Sequence, residues 1–100
     1  MIKHALFVRL EAKHGKEKEL AEFLQAGLGM AQQETTTPVW FALQIGPATF
    51  GIFDAFADEM GRQAHLNGPI AHALGANAPK LLVQAPSIER IDVLGAKLPG

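Results

Sequence analysis

The spacing of apolar residues changes repeatedly along the chain, and each change marks an element. Residues 2 to 12, Ile-Lys-His-Ala-Leu-Phe-Val-Arg-Leu-Glu-Ala, form a β-rich run with apolar side chains at both parities: Ile2, Leu6, Val8 and Leu10 against Ala5 and Phe7. A strand of that kind is covered on both faces. Lys13-His14-Gly15-Lys16 reads as a turn. From Glu17 the period lengthens, with Leu20, Phe23, Leu24, Gly27, Leu28 and Ala31 on one side and Glu17, Lys18, Glu19, Glu22 and Gln25 on the other. This pattern predicts an amphipathic helix of about four turns. Gly27 and Gly29 each weaken it by roughly 1 kcal/mol relative to Ala, which implies close packing there or a fraying end.

The polar run from Gln32 to Pro38 ends that helix. A second strand, Val39 to Ile45, a Gly46-Pro47-Ala48 turn and a third strand, Thr49 to Phe56, make an antiparallel hairpin that again carries apolar groups at both parities. Asp58 is placed to cap a helix from Glu59 to Leu66. Asn67-Gly68-Pro69 interrupts it, and Pro69 suits the first turn of a further helix through about Ala76. Pro79 to Gln84 reads as a short helical turn into a loop, and Ser87 to Lys97 as a last strand with Ile88, Ile91, Val93 and Leu94 as its apolar members.

Strand, helix, strand, strand, broken helix, strand is the order of an α+β, ferredoxin-like βαββαβ domain, expected to span residues 1–100 as one unit. Its four-stranded antiparallel sheet carries helices on one face. At least three strands are apolar on both parities, so something else must cover the other face, and a second copy of the chain, a homodimer, is the simplest cover. The 48% hydrophobic content, high for 100 residues, points the same way.

Charge narrows the partners. Nine Lys and Arg against ten Asp and Glu, interspersed, give no surface that seeks a polyanion. RNA-recognition domains share the element order, and Leu6-Phe7-Val8 and Phe50-Gly51-Ile52-Phe53 echo their motifs. Ala48-Thr49 and Ile52 nevertheless stand where a basic residue, a glycine and an aromatic are needed, so no nucleic-acid partner is expected. Cysteine is absent, which excludes disulfides and thiolate chemistry. The histidines show neither H-x-H nor H-E-x-x-H spacing, so no metal site is expected. No window has the length of a membrane span or the character of a signal peptide, and the cytoplasm is the default location.

Several segments together resemble the antibiotic-biosynthesis-monooxygenase superfamily of dimeric α+β barrels. They are the opening strand with Lys13-His14-Gly15-Lys16-Glu17, the first amphipathic helix, the hairpin closing on Phe53-Asp54-Ala55-Phe56, and Gln63-Ala64-His65-Leu66-Asn67-Gly68-Pro69. The last is the most specific. The resemblance implies a homodimer with one pocket per subunit between sheet and helices. It further implies a monooxygenase that oxidises a quinol or phenolic aromatic small molecule with molecular oxygen and no cofactor, or a barrel of the same fold that binds a small molecule without catalysis. Two positions depart from the family pattern: Phe56 where the third strand often ends in Trp, and Ile70 where a second His is common. The Asn, Trp and His set of the haem-degrading branch is not recognisable.

His65 is the leading catalytic residue, because an imidazole near neutral pH can take a phenolic proton and leave an electron-rich anion to react with oxygen. The plain alternative is a helix-end histidine bonded to a carbonyl. Arg62, one turn earlier, could stabilise that anion or simply pair with Asp58 or Glu59. For substrate binding, Trp40 and Phe56 offer flat walls, and His72 on the next helix could line the same pocket or be solvated. Asp54, a carboxylate inside an apolar strand, must lie exposed at an edge, be paired, or face the pocket.

Overall fold

Seven elements follow one another: β1 (His4–Glu11), α1 (Glu17–Gln33), β2 (Val39–Gln44), β3 (Thr49–Phe56), α2 (Glu59–Leu66), α3 (Pro69–Leu81) and β4 (Ser87–Asp92). The computed structural model describes residues 1–99; Gly100, the last residue of the expected domain, lies outside them. The four strands form one antiparallel sheet in the order β2-β3-β1-β4, the ferredoxin-like arrangement. No helix among the described residues is long and apolar enough to cross a membrane.

Register decides which side chains meet. Leu10 pairs with Phe50, Val8 with Ile52 and Leu6 with Asp54 across β1 and β3, while Trp40 pairs with Asp54 across β2 and β3. Since side chains alternate along a strand, this set shares one face. Val8, Leu10, Phe50 and Ile52 pack there with Leu20 and Leu24 of α1 and Leu74 and Leu81 of α3 to form the core. The doubled parity thus has a physical source: one set of apolar residues makes the core, and the other makes the opposite face.

Among the described residues, the helices pack on the core face and none covers the opposite one. Phe53 is the register partner of both Phe7 and Phe41, so three phenylalanines stand abreast across β1, β3 and β2. Phe41, Leu43 and Ile45 are 55%, 37% and 49% exposed. The Phe7 ring lies so close over Gly51 that a Cβ there would meet it at 3.1 Å. Glycine therefore lets the aromatic row lie flat.

α2 begins as expected, with the Asp58 side chain accepting a hydrogen bond from the Gly61 amide at 2.8 Å. β1 and β2 end within two residues of the sequence expectation, and two boundaries differ by more. α3 does not stop near Ala76 but continues through Pro79 to Leu81, because Ile70, Leu74, Ala78 and Leu81 keep one apolar stripe against the sheet and α1. Packing of that stripe outweighs the hydrogen bond the proline cannot donate. β4 stops at Asp92 rather than Lys97, because its only partner, β1, runs out: Asp92 pairs with His4, and a single further bond joins the Val93 amide to the Lys3 carbonyl at 2.9 Å. Leu94, expected among the strand's apolar members, is fully exposed.

Candidate active site

The C-terminus of α1, the middle of β3 and the last turn of α2 converge on His65. α1 ends at Gln33 because Glu34 takes an extended conformation, and this carries the Glu34 side chain over to α2. His65 Nδ1 lies 2.7 Å from Glu34 Oε1, and the same oxygen accepts a hydrogen bond from the Thr37 hydroxyl at 2.7 Å. On the other side of the ring, Nε2 lies 2.8 Å from Asp54 Oδ2. The imidazole therefore sits between two carboxylates, with Glu34 behind it and Asp54 on the sheet.

All three groups are largely withdrawn from water, the His65, Asp54 and Glu34 side chains being 7%, 1% and 14% exposed. The Glu34 contact is a well-formed hydrogen bond. The Asp54 contact is close but poorly aligned, and neither Asp54 oxygen has an aligned donor within the protein. A buried carboxylate is costly to leave unmatched, and the His65 ring is the cationic partner set against it. Burial, the largest single influence on His65, works against its positive charge. The two carboxylates, Asp54 ahead of Glu34, outweigh it and raise the pKa from 6.5 to about 8.

This shift has a consequence for stability. A folded-state pKa raised above the unfolded value contributes stability that is fully present below pH 6.5 and is lost as pH rises through about 8. Thermal unfolding between pH 6 and pH 9 should show a falling midpoint in the native chain, and His65→Gln should flatten that fall.

Asp54 and His65 are the polar side chains on the wall of a cavity of about 220 Å³ between the sheet and helices α2 and α3. Leu6, Val8, Ile52, Ile70 and Leu74 supply much of the remainder, and Ile88, 52% exposed, stands at its rim. An apolar enclosure with one convergent pair of ionisable groups is the ordinary form of a small-molecule site. His65, Glu34 and Asp54 do not converge on a common point, since the carboxylates meet opposite nitrogens of one ring; no metal-binding group of three occurs among the described residues.

The other expected site residues separate. Asp54 is both paired and turned to the cavity, two of the three possibilities open to it. Phe56 is fully buried, and its ring packs on His65 at 5.5 Å between centroids, so it supports the imidazole and is not a cavity wall. Arg62 does not reach the cavity: its guanidinium pairs with Glu59 at 2.6 Å and donates to the carbonyls of Ala5 and Ile91 at 3.3 and 3.4 Å. It is nonetheless buried, so it braces α2 on β1 and β4 instead of standing at the surface. His72 is exposed on α3 and lines no part of the cavity. Trp40 lies in a neighbouring apolar chamber against α1. Glu34 went unforeseen because it sits in a polar run that reads as a solvated loop.

A scan against protein-family models finds no match. No curated protein matches in sequence. Among solved structures, a protein of unknown function from Nitrosomonas europaea is 62% identical over the whole chain and 97% of its own length, with a TM-score of 0.98. A second Nitrosomonas europaea protein, a candidate antibiotic biosynthesis monooxygenase by name, superposes with a TM-score of 0.81 at 14% identity, covering 92% of this chain and 90% of that one. One of the same description from Chloroflexus aurantiacus gives 0.75 at 18% identity, with 98% and 99% covered.

Proposed function

Because the chain belongs to one family with the 62%-identical Nitrosomonas europaea protein and has the fold of the antibiotic-biosynthesis-monooxygenase superfamily, we propose that it is a cofactor-independent oxygenase acting on a quinol or phenolic aromatic. The observation that carries this is the Glu34–His65–Asp54 line ending at an apolar cavity. A phenol in that cavity donates its hydroxyl to Asp54, and its proton comes to rest on Nε2 of His65, held between the two carboxylates. With a pKa of about 8 the imidazole is a stronger base than a free one, and about a tenth of it is still unprotonated at pH 7. Glu34 touches no substrate; it is a positioning residue that fixes the ring and raises its basicity.

A quinol supplies every electron the reaction needs. The deprotonated ring forms a carbon–oxygen bond to one atom of dioxygen, the oxygen–oxygen bond then breaks, and the second atom leaves as water. The ring, having lost four electrons, becomes a hydroxylated quinone. Neither metal nor flavin enters that balance, and the imidazolium next to the site offsets the negative charge of the phenolate and of the reduced oxygen.

The test is oxygen consumption with a panel of hydroquinones and hydroxylated polycyclic phenols across pH 6 to 10. We expect kcat/KM to rise through a midpoint near 8 and then level. Glu34→Gln, by removing one of the two charges that raise the His65 pKa, should move that midpoint toward 6.5. Binding without uptake by any panel member would make the protein a small-molecule-binding barrel instead.

The open sheet face supports a homodimer. Phe7, Phe41 and Phe53 abreast, with Leu43 and Ile45 beyond them, form an apolar surface of the kind a monomer rarely leaves to water. A second sheet packed on it would complete the barrel.

A further inference from the structure

The helical layer stops short of β4. α3 packs chiefly on α1 and α2, and β4 packs on β1. Ile88 shows the result: it is the register partner of Val8 and shares its core-side face, yet it is 52% exposed where Val8 is 7%. Along this gap the cavity of about 220 Å³ adjoins an outer groove of about 480 Å³, and Gly75 and Pro86 line both. Ala71, Gly75 and Pro79 follow one another at i, i+4 and i+8 along α3. Ala71 borders the cavity, Pro79 borders the groove, and Gly75 stands where the two meet.

Nothing in the fold requires a glycine there. Position 75 is interior to α3, where glycine is less favourable than alanine. Its φ is not positive, and a Cβ on it would meet nothing within 4 Å. What the missing side chain leaves is open space, with Pro86 of the α3–β4 connection bordering it. We propose that Gly75 and Pro86 frame the passage by which small apolar molecules enter and leave the cavity, and that the lack of a side chain at position 75 keeps it open. Molecules arrive from the β4 edge through the groove, where Leu82, Val83 and Ala85 give an apolar approach. The proposal takes the cavity as the site of the proposed oxygenase, rests on that reading for what passes, and adds the entrance.

Benzene is the probe, since an apolar cavity of roughly 150 Å³ already admits it. It undergoes no reaction, so its exchange is independent of whether the protein consumes oxygen. The full-length chain, carbon-13-labelled at Ile, Leu and Val methyls, is titrated with benzene, and exchange at the Ile52 and Leu74 methyls gives both rate constants and Kd. Gly75→Leu is expected to slow association and dissociation alike by roughly tenfold or more while Kd stays within about threefold, because a narrowed passage obstructs both directions equally. Gly29 of α1 supplies the matched control: a Cβ there also meets nothing within 4 Å, but the residue borders neither cavity nor groove. Gly29→Leu should leave all three values native. Inner methyls unmoved by benzene in the native chain, native rates in Gly75→Leu, equal slowing by Gly29→Leu, or a Kd in Gly75→Leu outside that range, loss of binding included, overturns the passage. If the expected rates are seen and no quinol is oxidised, the passage stands and the oxygenase function falls.

Discussion

Replacing His65 with Ala is expected to lower quinol-dependent oxygen uptake by roughly a hundredfold to ten-thousandfold, the range over which a positioned base acts. The ring is in contact with both carboxylates, at 2.7 Å to Glu34 and 2.8 Å to Asp54. Without it the phenolic proton has no imidazole to go to, and the charge that offsets the phenolate is gone. The substitution also leaves two carboxylates facing each other without a cation, a loss on the order of 3 to 5 kcal/mol of stability for a broken buried pair. Rates are therefore compared per folded molecule, with far-UV circular dichroism confirming the fold. Uptake by folded His65→Ala within a factor of three of the native rate would remove His65 from the chemistry.

The second large effect concerns assembly. Phe53 stands between Phe7 and Phe41 at the middle of the open face, so Phe53→Asp would place a charge at the centre of the proposed dimer contact. The expected result is a dimer in the native chain at micromolar concentration and a monomer in the variant, the dissociation constant rising at least about a hundredfold. Sedimentation equilibrium reads both. A native chain that sediments as a monomer would contradict the dimer outright and leave the aromatic row without a cover.

Much of the fold was legible from spacing alone. α1 and α2 begin where their periodicity and the Asp58 cap place them, β3 has its expected limits, and the doubled apolar parity of the strands corresponds to a core face and an aromatic face. The misses have local causes. A proline at position 79 argues against helix in any window, and only the packing of Leu81 reverses that; the end of β4 depends on where β1 ends, which no property of β4 encodes. Gly27, one of the helix's two weak points, proves to be the place where Trp40 packs.

The site was legible in part. His65 and Asp54 stood out, one by its place at a broken helix and the other as a charge in an apolar strand, and they meet. Arg62 is one helical turn from His65, and His72 is on the next helix, exposed and away from the cavity. Three residues along a helix does put Arg62 on a neighbouring face, but Glu59 and two strand carbonyls hold its guanidinium elsewhere. Glu34 lies 31 positions from His65, and a contact at that distance in the chain leaves no trace in local pattern.

If two carboxylates turn His65 into a base matched to a phenol, a nuclear magnetic resonance titration of the His65 ring in the native chain will have its midpoint near 8, falling toward 6.5 in Glu34→Gln. A midpoint at or below 6.5 in the native chain would mean that burial prevails over the carboxylates, and the proposed proton acceptor would be contradicted.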